Sequence, residues 1–254
     1  MTRCLNAAAA GLLGVLAVMT HAPARAAEIV VLTNLGVVSA VRDLAPAFER
    51  ASGHRVIVSF ELGNAMMQKI NSNAPADLVT QTPDVIDSLM KQGKVVGERV
   101  DFARAGIGVA VRAGAPRPDI GSADAFKRSM LAAKSIAYSR AGASGVYVAN
   151  LMERLGIADQ VKDKIKLVDG VPVAELVAKG DVEIGMQQIN VILPVAGIDY
   201  VGPLPSELQG YVVFAAGILA VSKAPEAARA MAQFMAAPEA APLIRKSGME
   251  PAAR

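Results

Sequence analysis

The sequence predicts an α/β protein of two lobes, each built on a mostly parallel sheet with helices on both faces. Apolar, strand-like segments alternate with segments whose apolar residues recur at helical spacing. This alternation occurs in two series, and the stretches that separate them, 112–118 and 209–211, contain proline or glycine. We therefore expect lobe I to comprise 27–112 and 211–254 and lobe II to comprise 113–210, with the chain crossing twice between them.

The first series begins with a strand and continues as alternating helices and strands. Its predicted strands are 28–32, 55–60, 77–80 and 106–112. Between the first two, Val41, Leu44 and Phe48 recur at helical spacing and Gly53 follows, which predicts a helix and its end. A short helix is expected at 64–70, and Pro83 suits the first turn of the next helix.

The second series repeats this order. Ser122 suits the N-cap of a helix that extends to about 133. The predicted strands are 135–138, 165–168 and 182–186, and the helices between them, 144–155 and 173–178, stop at glycines. A long apolar stretch, 211–221, and two alanine-rich helices that begin near Pro225 and Pro238 return the chain to lobe I.

The N-terminal residues, 1–26, have the pattern of a cleavable signal peptide. Arg3 precedes an apolar stretch, 7–18, that is too short to cross a bilayer as a helix. The triplet 24–26 has alanine at its first and third positions, as signal peptidase requires. We therefore expect cleavage after Ala26 and a mature protein in the periplasm.

Composition excludes several classes of function. Without Arg3 and Arg25, the Lys and Arg count of 26 falls to 24, against 23 Asp and Glu, so no basic surface predicts a nucleic-acid partner. Cys4 leaves with the signal peptide, and His54 is then the sole histidine. We therefore expect no thiol chemistry, no histidine-based metal site and no cofactor. We expect a monomer.

Polar and glycine residues follow the predicted strands. In open parallel sheets, ligands bind beyond the carboxyl ends of the strands, and helix N-termini there favour anions. The candidate ligand-binding residues are Thr33, Asn34, Gly36, Gly63, Asn64, Gln81, Arg140, Ser144, Gly145, Gln187 and Gln188. Asn34, Asn64 and Ser144 could instead simply cap helices. Arg140 could bind a carboxylate through two hydrogen bonds or could face solvent.

Three long segments carry a resemblance to a known family. They are 28–95, which includes Asn73-Ala74-Pro75-Ala76-Asp77 as its most specific part, 167–188 and 227–251. The sequence resembles the periplasmic molybdate-binding proteins of ABC importers over nearly all of the expected mature chain. The resemblance implies the type II periplasmic binding fold, a hinge of two crossing strands, and closure of the lobes on an oxyanion.

The binding loops depart from the pattern of that family. It usually has serines after the first two strands, where this sequence has Thr33-Asn34 and Gly63-Asn64, and a tyrosine where Gln187-Gln188 stand. We therefore expect the scaffold to be shared and the ligand to be a small organic carboxylate. The sequence is also similar to a divergent subgroup, the periplasmic aconitate isomerases.

Two functions remain open at this point. The first is a solute-binding protein that delivers a small anion to an ABC-type importer, which needs no acid or base. The alternative is an isomerase of a small unsaturated tricarboxylate, which needs a base close to an acidic C–H group. Glu61 and Tyr147 are the candidate catalytic residues for that alternative, although Glu61 could equally form a surface ion pair.

Overall fold

A computed structural model describes residues 26–252. The predicted signal peptide therefore lies outside the described residues, apart from Ala26. Among the described residues, no helix combines the length and the apolar character needed to cross a bilayer.

The observed strands and helices follow the predicted alternation. The strands are β1 (Glu28–Thr33), β2 (Arg55–Phe60), β3 (Leu78–Gln81), β4 (Val95–Arg112), β5 (Ile136–Ser139), β6 (Ile165–Val168), β7 (Ile184–Gln188), β8 (Ile198–Pro203), β9 (Tyr211–Leu219) and β10 (Glu250–Pro251). The α-helices are α1 (Val38–Ser52), α2 (Gly63–Asn71), α3 (Pro83–Lys91), α4 (Ala123–Ala132), α5 (Ala143–Arg154), α6 (Ala158–Val161), α7 (Val173–Lys179), α8 (Ile189–Ile192), α9 (Pro225–Met235) and α10 (Ala241–Lys246). Single 3₁₀ turns lie at Lys162–Lys164 and Pro238–Ala240.

Helix α1 shows why the periodic pattern was informative. Val41, Leu44 and Phe48 are buried on one face of the helix, as their spacing predicts. The helix ends at Gly53, which adopts the left-handed conformation with φ 75° and donates its N–H to the carbonyl of Glu49. This buried face packs into the main hydrophobic core together with strand residues such as Ile29 and Phe102.

The sheet has the strand order β2-β1-β3-β9-β4-β7-β5-β6, and β8 and β10 also pair with β4. Strands β1, β2 and β3 pair in parallel, and so do β5, β6 and β7. We call these the first and the second strand set. The long strands β4 and β9 run antiparallel to their neighbours and connect the two sets.

Strand β4 is the main difference from the predicted elements. It begins at Val95, well before the predicted start at residue 106. Its first half carries charged residues such as Glu98 and Arg99, and its pairing with β9 is irregular there. Charges and bulges remove the apolar alternation on which a strand prediction depends. Strand β8 was not predicted either, and none of its residues is fully buried.

Strand β4 also shows where the chain passes from one side of the sheet to the other. It pairs with β9 through Gly106 and with β7 and β8 from Ile107 onwards. Gln209, which lies just before β9, is hydrogen-bonded to β4 at this position. Its side chain accepts from the N–H of Ile107 at 2.9 Å and donates to the carbonyl of Ile107 at 3.0 Å. The lobe boundaries at 112 and 211 stay a prediction.

The carboxylate of Asp77 joins three separated parts of the chain. Asp77 lies directly before β3 and is 6 % exposed. Its Oδ2 atom accepts from the N–H of Val30 on β1 at 2.9 Å. Its Oδ1 atom accepts from the hydroxyl of Ser222 at 2.7 Å and from the N–H groups of Lys223 and Ala224. The side chain therefore fixes β1, β3 and the segment that leads into α9.

We predict that Asp77→Asn lowers the free energy of unfolding by about 3 kcal/mol, because hydrogen bonds to a buried charged group are among the strongest in proteins. The amide of asparagine would also place its NH₂ group, a donor, against N–H and hydroxyl groups that are themselves donors. Urea denaturation of both proteins measures the loss. Asp181→Asn, at an exposed position, is the matched control. Equal stabilities of Asp77→Asn and the control would contradict the prediction.

Candidate ligand-binding site

The carboxyl ends of the two strand sets face each other. Strand β4 is parallel in direction to β3, since both run antiparallel to β9, and it is antiparallel to β7. The end of the first set and the end of the second set therefore meet where β4 changes partners, at Gly106 and Ile107. We call the space between these two edges the cleft. It is the place where α/β sheets bind ligands.

The edge of the first strand set contributes a buried pair of threonines. The hydroxyl of Thr80 on β3 donates to the hydroxyl of Thr33 on β1 at 2.9 Å, and both side chains are fully buried. The next residue, Asn34, accepts the N–H of Gly36 through its Oδ1 atom at 2.9 Å. Thr33 and Asn34 were predicted, and their contacts here shape the loop that precedes α1.

The loops after β2 and β3 complete this edge. Gly63 and Asn64 form the exposed first turn of α2, as the sequence predicted for a helix start close to the cleft. The N-cap residue, Leu62, makes no side-chain hydrogen bond to this helix start, and the first N–H groups of any α-helix have no acceptor within the helix. Gln81 is partly buried and donates its amide to the sulfur of Met66 at 3.3 Å.

The edge of the second strand set is centred on the start of α5. Ser144 lies in the first turn, is 1 % exposed and donates its hydroxyl to the Oε1 atom of Gln188 at 2.9 Å. This bond fixes the amide of Gln188 with its NH₂ group turned away from Ser144. The first N–H groups of α5, at Ala143 and Ser144, have no acceptor inside the helix. The start of α5 and Gln188 thus offer donors rather than acceptors.

The two edges are in contact at the Gly36 loop. A Cβ atom placed on Gly36 would lie 3.1 Å from Nε2 of Gln188 and 2.7 Å from the ring of Phe214, so this loop fits closely against β7 and β9. Asn190 on α8 donates its amide to the carbonyl of Gly36 at 2.9 Å. The structure therefore brings together Gly36, Ser144 and Gln188, which the sequence placed in separate loops.

Gln187 and Arg140 make contacts within the second half of the protein. The Oε1 atom of Gln187 accepts the N–H of Val173 at 2.8 Å, which satisfies a donor at the start of α7. The guanidinium of Arg140 binds Asp169 at 2.9 Å, and both side chains are more than half exposed. An exposed ion pair of this kind contributes little free energy.

The two candidate catalytic residues also have partners. Glu61 follows β2, and its N–H donates to the carbonyl of Thr33 at 2.9 Å. Hydrogen bonds from Lys69 and then from Ser59 lower the pKa of the Glu61 carboxyl below its ordinary value. The hydroxyl of Tyr147 donates to the carbonyl of Leu208 at 2.7 Å. Tyr147 therefore contacts the segment that returns to β9.

Three polar residues near these edges were not among the predicted site residues, namely Thr80, Ser139 and Asn190. Thr80 and Ser139 lie at or next to the carboxyl end of a strand, so the rule that selected their neighbours could have found them. Asn190 lies in a helix of a single turn that no sequence pattern indicated. Residues 26–252 bring together no group of three or more His, Cys, Asp or Glu that could hold a metal ion.

Two α/β halves whose strand ends face each other, joined by the long antiparallel strands β4 and β9, define the type II periplasmic binding fold. The periplasmic molybdate-binding protein of Azotobacter vinelandii has the same fold, with a TM-score of 0.72 at 20 % identity over 87 % of this chain and 98 % of that one. The chain belongs to the family of bacterial extracellular solute-binding proteins, whose model matches residues 29–250. The fold and the family predicted from the sequence are thereby confirmed.

Two relatives of known function are similar along most of the chain. An aconitate isomerase from a Pseudomonas species is 35 % identical over 228 residues, which cover 87 % of each chain. The molybdate-binding protein ModA of Azotobacter vinelandii is 26 % identical and covers 98 % of this chain and 97 % of its own. The scaffold therefore serves both an isomerase and a binding protein among its relatives.

We predict that Gly145→Ala destabilises the protein by about 3 kcal/mol, because overpacking against a rigid backbone forces the loop to move. A Cβ atom on Gly145 would lie 1.7 Å from the carbonyl oxygen of Ser139. Thermal unfolding of the unliganded protein measures the loss. Gly63→Ala, at the start of α2, is the control, since its Cβ would meet no atom within 4 Å. A Gly145→Ala protein as stable as this control would show that the loop adapts freely.

Proposed function

We propose that this protein binds a small organic anion with carboxylate groups in the cleft and delivers it, from the periplasm, to an ABC-type importer. The contact between Ser144 and Gln188 at the start of α5 is the observation that carries the proposal. It leaves the NH₂ group of Gln188 as a donor beside the first backbone N–H groups of α5, and donors of this kind suit an oxyanion. The export signal predicted at 1–26 supports the periplasmic location.

The chemistry of the cleft favours an organic carboxylate over molybdate. The hydroxyl of Thr33 is fully buried beside Thr80, and Asn34 carries an amide whose Oδ1 atom accepts from Gly36, so this loop does not present the exposed serine hydroxyl that the molybdate pattern has there. Amide groups such as that of Gln188 match the planar shape of a carboxylate. The 35 % identical relative, an aconitate isomerase, supports a tricarboxylate of that size as the first candidate.

We predict that trans-aconitate, cis-aconitate or citrate stabilises the protein against heat and that molybdate and sulfate do so weakly. A ligand present at 100 times its dissociation constant adds about 2.7 kcal/mol to the free energy of unfolding. Thermal shift across these anions, followed by calorimetric titration, measures the effect. Strong stabilisation by molybdate alone would contradict the choice of an organic carboxylate.

An isomerase is the second candidate function, and the 35 % identical aconitate isomerase is the observation that favours it. Glu61 supports this reading because its backbone is bonded to Thr33 at the cleft edge. Like an ordinary glutamate it is ionised at neutral pH, the form that a general base requires, and the hydrogen bond from Lys69 lowers its pKa further. The same ion pair makes Glu61 a weaker base than a free glutamate.

If the protein is an isomerase that uses Glu61, we predict that Glu61→Gln abolishes the interconversion of cis- and trans-aconitate while the affinity stays within a few fold. Chromatography of reaction mixtures measures the product, and calorimetry measures the binding. Glu98→Gln, at an exposed position on β4, is the control. If the wild-type protein binds aconitate but forms no product, the isomerase is excluded and the solute-binding function is supported. Unchanged turnover in Glu61→Gln would assign the base to another residue.

A further inference from the structure

Ser139 carries a hydroxyl group whose bonding is incomplete. It is the last residue of β5, at the carboxyl edge of the second strand set. Its Oγ atom is buried and has no hydrogen-bond partner among the residues that the structure describes. Most buried hydroxyl groups in proteins are paired, because burial without a partner costs free energy. The proposed binding residues do not include Ser139, so its hydroxyl needs a separate explanation.

The surroundings of this hydroxyl are the turn that begins α5. A Cβ atom on Gly142 would lie 2.6 Å from Oγ of Ser139, and one on Gly145 would lie 2.7 Å from it. Both positions therefore require glycine if the serine is to keep its place under the turn. The turn also carries the free N–H groups of Ala143 and Ser144. An unpaired donor, free amide groups and the positive end of a helix dipole thus occupy the same loop.

We propose that the Ser139 hydroxyl donates a hydrogen bond to a carboxylate oxygen of the bound solute, alongside the first N–H groups of α5. This assignment rests on the proposed function, because it concerns the same cleft. A hydroxyl rotates freely about its C–O bond, so it can turn to an oxygen that the rigid N–H groups leave unpaired. Ser139 is then a contact that helps to select oxyanions.

Ser139→Ala separates a binding role from a structural one. Removal of an unpaired buried hydroxyl leaves the unliganded protein as stable as the wild type or more stable. The affinity for trans-aconitate falls about tenfold, the size expected when one hydrogen bond to a charged group is lost. Thermal unfolding without solute and calorimetric titration with trans-aconitate measure the two effects. Citrate, sulfate and molybdate serve as further probes.

Ser222→Ala is the matched control. Its hydroxyl donates to the buried carboxylate of Asp77, so this variant loses stability and keeps its affinity. A Ser139→Ala protein that behaves in the same way would overturn the assignment of Ser139 to solute binding.

The remaining outcomes distinguish the two proposals. If Ser139→Ala binds trans-aconitate as tightly as the wild-type protein does, the role of Ser139 is overturned and the proposed function stays intact. Binding of molybdate alone, weakened in Ser139→Ala, would overturn the organic carboxylate and support the serine contact. A wild-type protein that none of these anions stabilises would overturn both.

Discussion

The Asp77 carboxylate holds the first strand set in the arrangement that the cleft needs. Its two oxygens accept N–H and hydroxyl groups from β1 and from the segment before α9, which are far apart in the sequence. A buried charge that is fully hydrogen-bonded is stabilising only while every partner stays in place. Because Asp77 directly precedes β3, its bond to Val30 aligns β3 with β1 and so places Thr80 opposite Thr33 at the cleft edge, whereas its bond to Ser222 holds the segment before α9.

The cleft is a consequence of strand direction. A single strand, β4, enters one half of the sheet in parallel orientation to β3 and leaves through the other half antiparallel to β7. Two sets of strand ends, each followed by helix starts, are thereby turned towards one another. Each helix start alone favours an anion weakly, and their joint orientation makes the space between them more favourable for an anion than either helix start alone.

The sequence was most informative where burial imposes a period, and least informative where contacts join distant segments. The spacing of Val41, Leu44 and Phe48 predicted α1, and the rule for strand ends selected Ser144 and Gln188. No local pattern could show that Ser144 binds Gln188 or that Arg140 pairs with Asp169, since these partners lie on different loops. The charged first half of β4 lacks an apolar alternation, so its pairing with β9 became visible only in the fold.

The bond from the Asn190 amide to the Gly36 carbonyl joins the two sides of the cleft directly, from one residue of the protein to another. In a protein that alternates between open and closed forms, such a contact stabilises the closed form and raises its population before binding. The apparent affinity of a solute then reflects this intrinsic equilibrium as well as the chemistry of the cleft. A substitution in α8 can therefore change the apparent affinity while every group that lines the cleft stays the same.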